Sequence, residues 1–118
     1  MADRSGRLKA LLHKNISDII AFEIKNPRIG MVSVNEVEVS KDHSHVTVYV
    51  SFLLAKHPEW NLRELESLKG LVRSKLSSKM DLRKVPEIHF VLDERFKKAE
   101  RLEEALKREE EDLKKMGQ

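Results

Sequence analysis

Apolar residues recur at helical spacing near the start of the chain, over residues 4–25. The stripe consists of Leu8, Leu12, Ile16, Ile19 and Ile20. Because positions three and four apart share one face of an α-helix, this pattern predicts an amphipathic helix. Leu11 and Phe22 are expected to widen its apolar face. Pro27 should end the helix, since it disfavours helical geometry at the residue before it, and Gly30 then lets the chain turn.

Two strands are predicted next, because apolar and polar residues begin to alternate. In Val32–Val39 the apolar positions change parity at Asn35–Glu36, which predicts a β-bulge or a sharp twist there. The second strand alternates without interruption, and its inward positions are Val46, Val48, Val50 and Phe52. The polar segment Ser40–His45 has the length of a hairpin loop, so the two strands should pair antiparallel.

A second helical pattern begins at Asn61, the predicted N-cap, and continues to Met80. Gly70 stands in its middle, where glycine costs about 1 kcal/mol relative to alanine. Leu71 would face the polar side if this helix were straight. These two features predict a kink near Lys69–Gly70 that redirects the second half.

A third strand is predicted at Pro86–Leu92, and Asp93 is expected to cap a final charged helix that frays beyond about Arg108. The pattern therefore gives an α+β fold in the order α-β-β-α-(kink)-α-β-α, with a three-stranded sheet packed on helices. We expect one domain over residues 1–93 and a charged helical extension over residues 94–118.

The distribution of charge along the chain indicates a function more clearly than the overall composition does. The chain has 118 residues, 36% of them charged, and a formal net charge of +3. Residues 68–86 hold six bases and one acid, a net charge of +5, whereas the rest of the chain holds 17 bases and 19 acids. Such a concentrated basic helix is typical of a site that binds a polyanion.

The sequence gives little support for a catalytic or a metal-binding function. Glycines occur only at positions 6, 30, 70 and 117, too sparsely for a phosphate-binding loop, and the chain has no cysteine. The segment Asp42–His45 is interpreted as a polar hairpin tip rather than a metal site, and His89 as a surface histidine. We expect no enzyme, no cofactor and no metal. No apolar run approaches the roughly twenty residues of a membrane span, so a cytoplasmic protein without membrane contact is expected.

Two segments of the sequence are distinctive, NPRIGMVSVNEVEVSKDHSHVTVYVSF and LVRSKLSSKMDLRKVPEIHFVLDE. Both resemble stretches of the ribosome-binding factor A family. With the first helix, the resemblance covers about residues 7–93, and the element order is that of a type-II KH domain. The family lacks the Gly-x-x-Gly loop of ordinary KH domains, as this chain does, and has an Ala-x-Gly signature at a helix kink. Here that signature reads Leu68-Lys69-Gly70, so Gly70 matches and Leu68 departs from the family's alanine.

The resemblance implies a single-domain bacterial assembly factor that binds the small (30S) ribosomal subunit, and we expect it to act as a monomer. It also implies a role in late maturation of 16S ribosomal RNA, most important in the cold. The residues expected to contact RNA are Arg28, Lys69, Gly70, Arg73, Lys75, Lys79, Arg83 and Lys84. One alternative is a general single-stranded RNA-binding module of KH type. Another is a protein-interaction domain that works through the charged terminal helix.

Overall fold

The fold of the computed structural model is the predicted α+β arrangement, and the structure describes residues 4–82, 84–95 and 106. The elements are α1 (Arg4–Asp18) with a π-helical turn (Ile19–Glu23), β1 (Met31–Val39), β2 (His45–Leu53), α2 (Pro58–Ser67), α3 (Lys69–Lys79) and β3 (Glu87–Leu92). The strands form one sheet in the order β1-β2-β3. β1 and β2 are antiparallel, and β2 and β3 are parallel. This confirms the type-II KH-like fold.

The core lies between the helices and one face of the sheet. Its side chains are almost all aliphatic, and the fully buried ones include Leu12, Ile16, Ile19, Val37, Val46, Val48, Val50, Leu65, Val72 and Leu76. The inward positions of β2 are all buried, as its alternation predicts. α2 and α3 form the connection between the parallel strands, because two parallel neighbours cannot be joined by a tight turn.

The apolar face of α1 is narrower than the sequence predicts. Leu11 is 44% exposed and Phe22 is 76% exposed, so the expectation that they widen the buried stripe is wrong. Leu11 lies about 100° around the helix from buried Leu12, beyond the edge that the sheet covers. Phe22 lies within the π-helical turn, in which the Ile24 N–H donates to the Ile19 carbonyl (3.1 Å), and this wider turn shifts the rotational phase of its residues relative to α1.

The β-bulge predicted in β1 is confirmed. Val34 pairs with Val50 and Glu36 pairs with Tyr49, so Asn35 is the extra residue. The Asn35 side chain donates to Asp93 Oδ2 (3.0 Å) just beyond the end of β3. Arg95 also donates two hydrogen bonds to the Asp93 carboxylate (2.9 and 3.0 Å). The bonds from Arg95, and then the one from Asn35, hold the pKa of Asp93 well below its usual range.

α2 begins four residues earlier than predicted, because its N-cap is His57 and not Asn61. Pro58 occupies the first turn, where its fixed φ angle suits a helix and its missing N–H costs nothing. Asn61 lies inside α2, and its Nδ2 donates to the carbonyls of Arg28 (3.1 Å) and Ile29 (3.0 Å). This side chain therefore fixes the turn before β1 against α2.

The predicted kink is present as a break at Leu68, where φ is −99° and ψ is 4°. Gly70 itself lies within the first turn of α3. Leu71 is still exposed, so the break does not bring it into the core as the kink prediction implies. Nearby, Glu66 at the end of α2 reaches the sheet, where its Oε1 accepts the Phe90 N–H of the edge strand β3 (2.7 Å).

The expected boundary between residues 93 and 94 stays a prediction. Asp93 Oδ1 accepts the Arg95 N–H (3.1 Å), and Arg95 is helical, which fits a helix capped by Asp93. The remainder of the predicted extension, apart from Leu106, lies outside the described residues. Its expected fraying beyond Arg108 does so as well.

Gly30 and Gly70 lie in opposite environments and give a matched test of stability. Gly30 has φ +70°, and a Cβ there would lie 3.2 Å from Asn61 Nδ2. We expect Gly30→Ala to lower the free energy of unfolding by about 1–2 kcal/mol. Gly70→Ala should raise it by about 0.5 kcal/mol, because a Cβ at Gly70 meets no described atom within 4 Å and alanine favours helix. Urea denaturation measures both changes, and equal destabilisation would contradict this account.

Candidate nucleic-acid interface

The bases of α3 lie on two different flanks of the helix. Residues two apart differ by about 200° around a helix, so Arg73 and Lys75 cannot point in the same direction. Between the flanks runs the buried side formed by Val72 and Leu76. The structure therefore does not bring all the predicted RNA-binding residues together, although the sequence places all of them except Arg28 in one short segment.

The first flank, which we call the Gly70 flank, carries a shallow groove of about 410 Å³ lined by Gly70, Arg73, Ser74, Ser77 and Val85. Arg73 Nη2 donates to the Val85 carbonyl (2.8 Å), and this bond positions the guanidinium at the edge of the groove. Since Gly70 has no side chain, a ligand can approach the backbone of α3 closely at that point.

Two further polar residues of this groove are absent from the predicted site. Ser74 and Ser77 are exposed on α3, and their hydroxyl groups can donate to phosphate oxygens. The sequence feature that could have identified these two serines is their spacing, because positions four and seven after Gly70 lie on the same side of a helix as Gly70. Serine on a solvent-facing helix is common, however, and this spacing alone does not distinguish a binding groove.

The second flank, which we call the Glu23 flank, holds Lys75 and Lys79 against the end of the first helix. The Nζ atoms of Lys75 and Lys79 lie 3.9 and 3.0 Å from the carboxylate of Glu23. Glu23 Oε2 is buried and makes no hydrogen bond of good geometry among the described residues, so these ammonium groups balance its charge. Both lysines therefore have a role in joining α3 to the first helix.

Two further bases of the segment, Lys69 and Lys84, lie near the ends of α3. Lys69 Nζ is 3.6 Å from Glu66 Oε2, an exposed pair that contributes little to stability. Lys84 is exposed in the loop between α3 and β3, directly before the groove residue Val85. Arg83 lies outside the described residues.

Arg28 occupies a separate site. It is exposed on the turn before β1 and lines a small groove of about 340 Å³ with Trp60, Asn61 and Glu64. Trp60 is 62% exposed and stacks on the ring of His57, with 4.0 Å between ring centroids. The sequence prediction omits Trp60 from the site, because a lone tryptophan carries no positional signal. No residue lines both this groove and the Gly70 groove.

The polar hairpin tip is confirmed between β1 and β2. Asp42 Oδ1 accepts hydrogen bonds from the Ser40 hydroxyl (2.8 Å), the Ser44 hydroxyl (2.7 Å) and the Ser44 N–H (3.1 Å). The bonds from Ser44, and then the one from Ser40, keep the pKa of Asp42 below its usual range. Asp42 thus shapes the hairpin through contacts within it.

Comparison with known protein families shows one family whose model matches most of the chain. The model of the family described as ribosome-binding factor A matches residues 4–106, which is most of the sequence. The chain belongs to the ribosome-binding factor A family. Among relatives, ribosome-binding factor A of Macrococcus caseolyticus is 44% identical over 95 residues, 80% of this chain and 83% of the relative. The Neisseria gonorrhoeae protein is 37% identical over 91 residues, 77% of this chain and 74% of the relative.

Solved structures agree with this membership. The crystal structure of ribosome-binding factor A from Thermus thermophilus superposes with a TM-score of 0.68 at 26% identity, covering 75% of this chain and 93% of the other. A homology model of the Thermus thermophilus protein, fitted into a cryo-EM map of a 30S complex, has a TM-score of 0.63 at 25% identity, covering 74% and 92%. Within the described residues, no helix has the length and apolar character needed to cross a bilayer.

Proposed function

We propose that this chain binds the small (30S) ribosomal subunit through its 16S ribosomal RNA and assists late maturation of that RNA without catalysing a reaction. Membership of the ribosome-binding factor A family supports the ribosomal target. The fitted 30S complex of the Thermus thermophilus relative supports the small subunit. The proposal places the protein in the cytoplasm, where it acts as a monomer.

The Gly70 groove is the observation that carries the RNA contact. An arginine fork, two hydroxyl groups and an uncovered stretch of backbone converge in it, and these are donors suited to phosphate oxygens. We assign the direct contacts to Lys69, Gly70, Arg73 and Lys84, with Arg83 as a further candidate. In this assignment Lys75 and Lys79 contribute to the positive potential while they hold Glu23.

The mechanism is binding to one conformation of the RNA. A protein that binds a mature-like arrangement more tightly than its alternatives shifts the population toward it, by as much as the two affinities differ. Non-native RNA pairing persists longer at low temperature, and therefore a binder of this kind has its largest effect in the cold. Arg28, in its groove with Trp60, is a second candidate contact on the same protein.

Sucrose-gradient co-sedimentation with purified subunits tests the function. We expect the protein to sediment with 30S particles and to remain at the top of the gradient with 50S particles. An excess of short single-stranded RNA should not release it, because the described structure offers donors for phosphate but no broad aromatic surface for bases. Equal sedimentation with both subunits, or release by short RNA, would instead support the general RNA-binding module.

A further inference from the structure

Three side chains from two neighbouring strands converge on the outer face of the sheet. His45 begins β2, and Glu87 and His89 lie on the parallel strand β3. The register pairs His45 with Glu87 and places His89 two residues further along. Val46 and Ile88, the neighbours of these residues, are buried in the core, so the alternation of the strands directs all three side chains away from it.

The donor atoms are spaced as metal ligands. His45 Nδ1 lies 3.1 Å from His89 Nε2 and 3.6 Å from Glu87 Oε2, and all three donor atoms lie within 4.8 Å of one another. Tetrahedral zinc, with bonds of about 2.0–2.1 Å, requires about 3.3–3.4 Å between ligand atoms. Two of the three separations therefore need only a small adjustment, and a rotation of the exposed Glu87 side chain can supply the third.

The backbone around this cluster is held in place by hydrogen bonds. The His45 N–H donates to the Ser40 hydroxyl (3.0 Å), and the His45 carbonyl accepts the Ser40 N–H (2.9 Å). The Glu87 N–H donates to the Ser44 carbonyl (2.9 Å). Ligands on paired strands keep their spacing better than ligands on loops, which lowers the conformational cost of binding an ion.

The donor chemistry selects the class of ion. Two imidazoles and one carboxylate suit zinc and its neighbours among the divalent transition metals, whereas magnesium and calcium prefer oxygen donors alone. Without a metal, one imidazole N–H can donate to the other ring across 3.1 Å, and the exposed His45–Glu87 contact is weak. A metal would replace this hydrogen bond and engage all three groups at once.

We propose that His45, Glu87 and His89 form a binding site for one divalent transition-metal ion, with zinc as the best match. Three protein ligands leave a fourth position for water or for a donor atom of a binding partner. The site lies on β2 and β3 and uses none of the residues assigned to RNA, so it does not depend on the proposed ribosomal function.

Titration of the untagged, chelator-treated protein with zinc chloride in a calorimeter tests the site. We expect saturable binding of one ion per chain, unaffected by millimolar magnesium, and a rise in the thermal midpoint with zinc. The rise follows because the unfolded chain separates His45 from Glu87, so that zinc favours the native state. Cobalt(II) added to the same protein should give the intense visible absorption of tetrahedral coordination. Absence of saturable zinc binding, or an octahedral cobalt spectrum, would overturn the proposal.

Single substitutions assign the ligands. Loss of a hydrogen-bond partner behind a ligand already costs about 10–100-fold in metal affinity, so His45→Ala and His89→Ala should each cost at least about 100-fold. His43→Asn is the matched control, since it removes a neighbouring histidine and asparagine tolerates the positive φ of that position. Unchanged affinity in His89→Ala, or an equal loss in His43→Asn, would place the ion elsewhere. Urea denaturation without metal verifies that each variant is folded.

Discussion

Reversing two charges beside the Gly70 groove, in the variant Arg73→Glu/Lys84→Glu, is expected to weaken binding to the 30S subunit about a hundredfold. Each of these side chains is assigned a phosphate contact, and a hydrogen bond to a charged group contributes roughly 1.5 kcal/mol or more. Two such losses give about 3 kcal/mol, and the new carboxylates add repulsion. Quantitative pelleting with a concentration series of 30S subunits gives the Kd of each protein.

The matched control carries the same change of charge elsewhere. Lys14 on α1 and Lys56 before α2 have exposed side chains, and Lys14→Glu/Lys56→Glu alters the net charge equally. This control variant should lose only the small contribution that long-range electrostatic attraction makes to 30S binding. Urea denaturation is needed as well, because Arg73→Glu removes the bond to the Val85 carbonyl. Equal loss of affinity in the two double variants would mean that net charge, and not the Gly70 flank, determines binding.

The Glu23 flank provides a third variant. Lys75→Gln/Lys79→Gln leaves Glu23, a half-buried residue whose Oε2 is buried, without its cationic partners, and we expect the loss to be in stability rather than in 30S affinity. Neutral replacements are preferable here, since glutamates would add repulsion with Glu23. If this variant bound 30S as weakly as Arg73→Glu/Lys84→Glu while remaining folded, both flanks would have to contact RNA.

Salt should weaken the 30S complex steeply, and the slope counts the phosphate contacts. Six contacts predict a rise in Kd of about a thousandfold between 50 and 200 mM monovalent salt, whereas four predict a rise of about a hundredfold. The division of the bases between two flanks favours the smaller number. The measurement keeps magnesium constant, so that the subunit stays intact while the monovalent salt is varied.

The variant Arg73→Glu/Lys84→Glu gives a second, independent measure of the number of phosphate contacts. Removing two phosphate contacts should reduce the slope of log Kd against log salt by about two. A Kd that does not change with salt would exclude electrostatic docking altogether. A slope that corresponds to six contacts would restore Lys75 and Lys79 to the interface and contradict their assignment to Glu23.

Local patterns predicted the elements well because they record which side of each element is buried. The alternation from Val46 to Phe52 requires one face of a strand to enter the core, and the parity change at Asn35–Glu36 requires a local irregularity, which the structure shows to be an extra residue. The break near Gly70 likewise follows from a residue that helices disfavour. Where one element's own sequence determines the outcome, the prediction is therefore reliable.

Features that depend on a second element could not be predicted in the same way. The exposure of Phe22 depends on which edge of the first helix the sheet covers and on the π-turn that contains Phe22. The separation of Arg73 from Lys75 becomes meaningful only once Glu23 is known to lie beside α3. The approach of His45 to His89 depends on the parallel register of β2 and β3, which no short segment of the sequence contains.

The hydrogen bond between Glu66 and Phe90 also protects the protein from aggregation. β3 is an edge strand, and an unpaired edge is a template on which a strand of another molecule can add. Glu66 accepts the Phe90 N–H near the middle of that edge and places a carboxylate where an incoming backbone would have to pair. The end of α2 thus closes β3 against strand addition, just before the chain enters the basic helix α3.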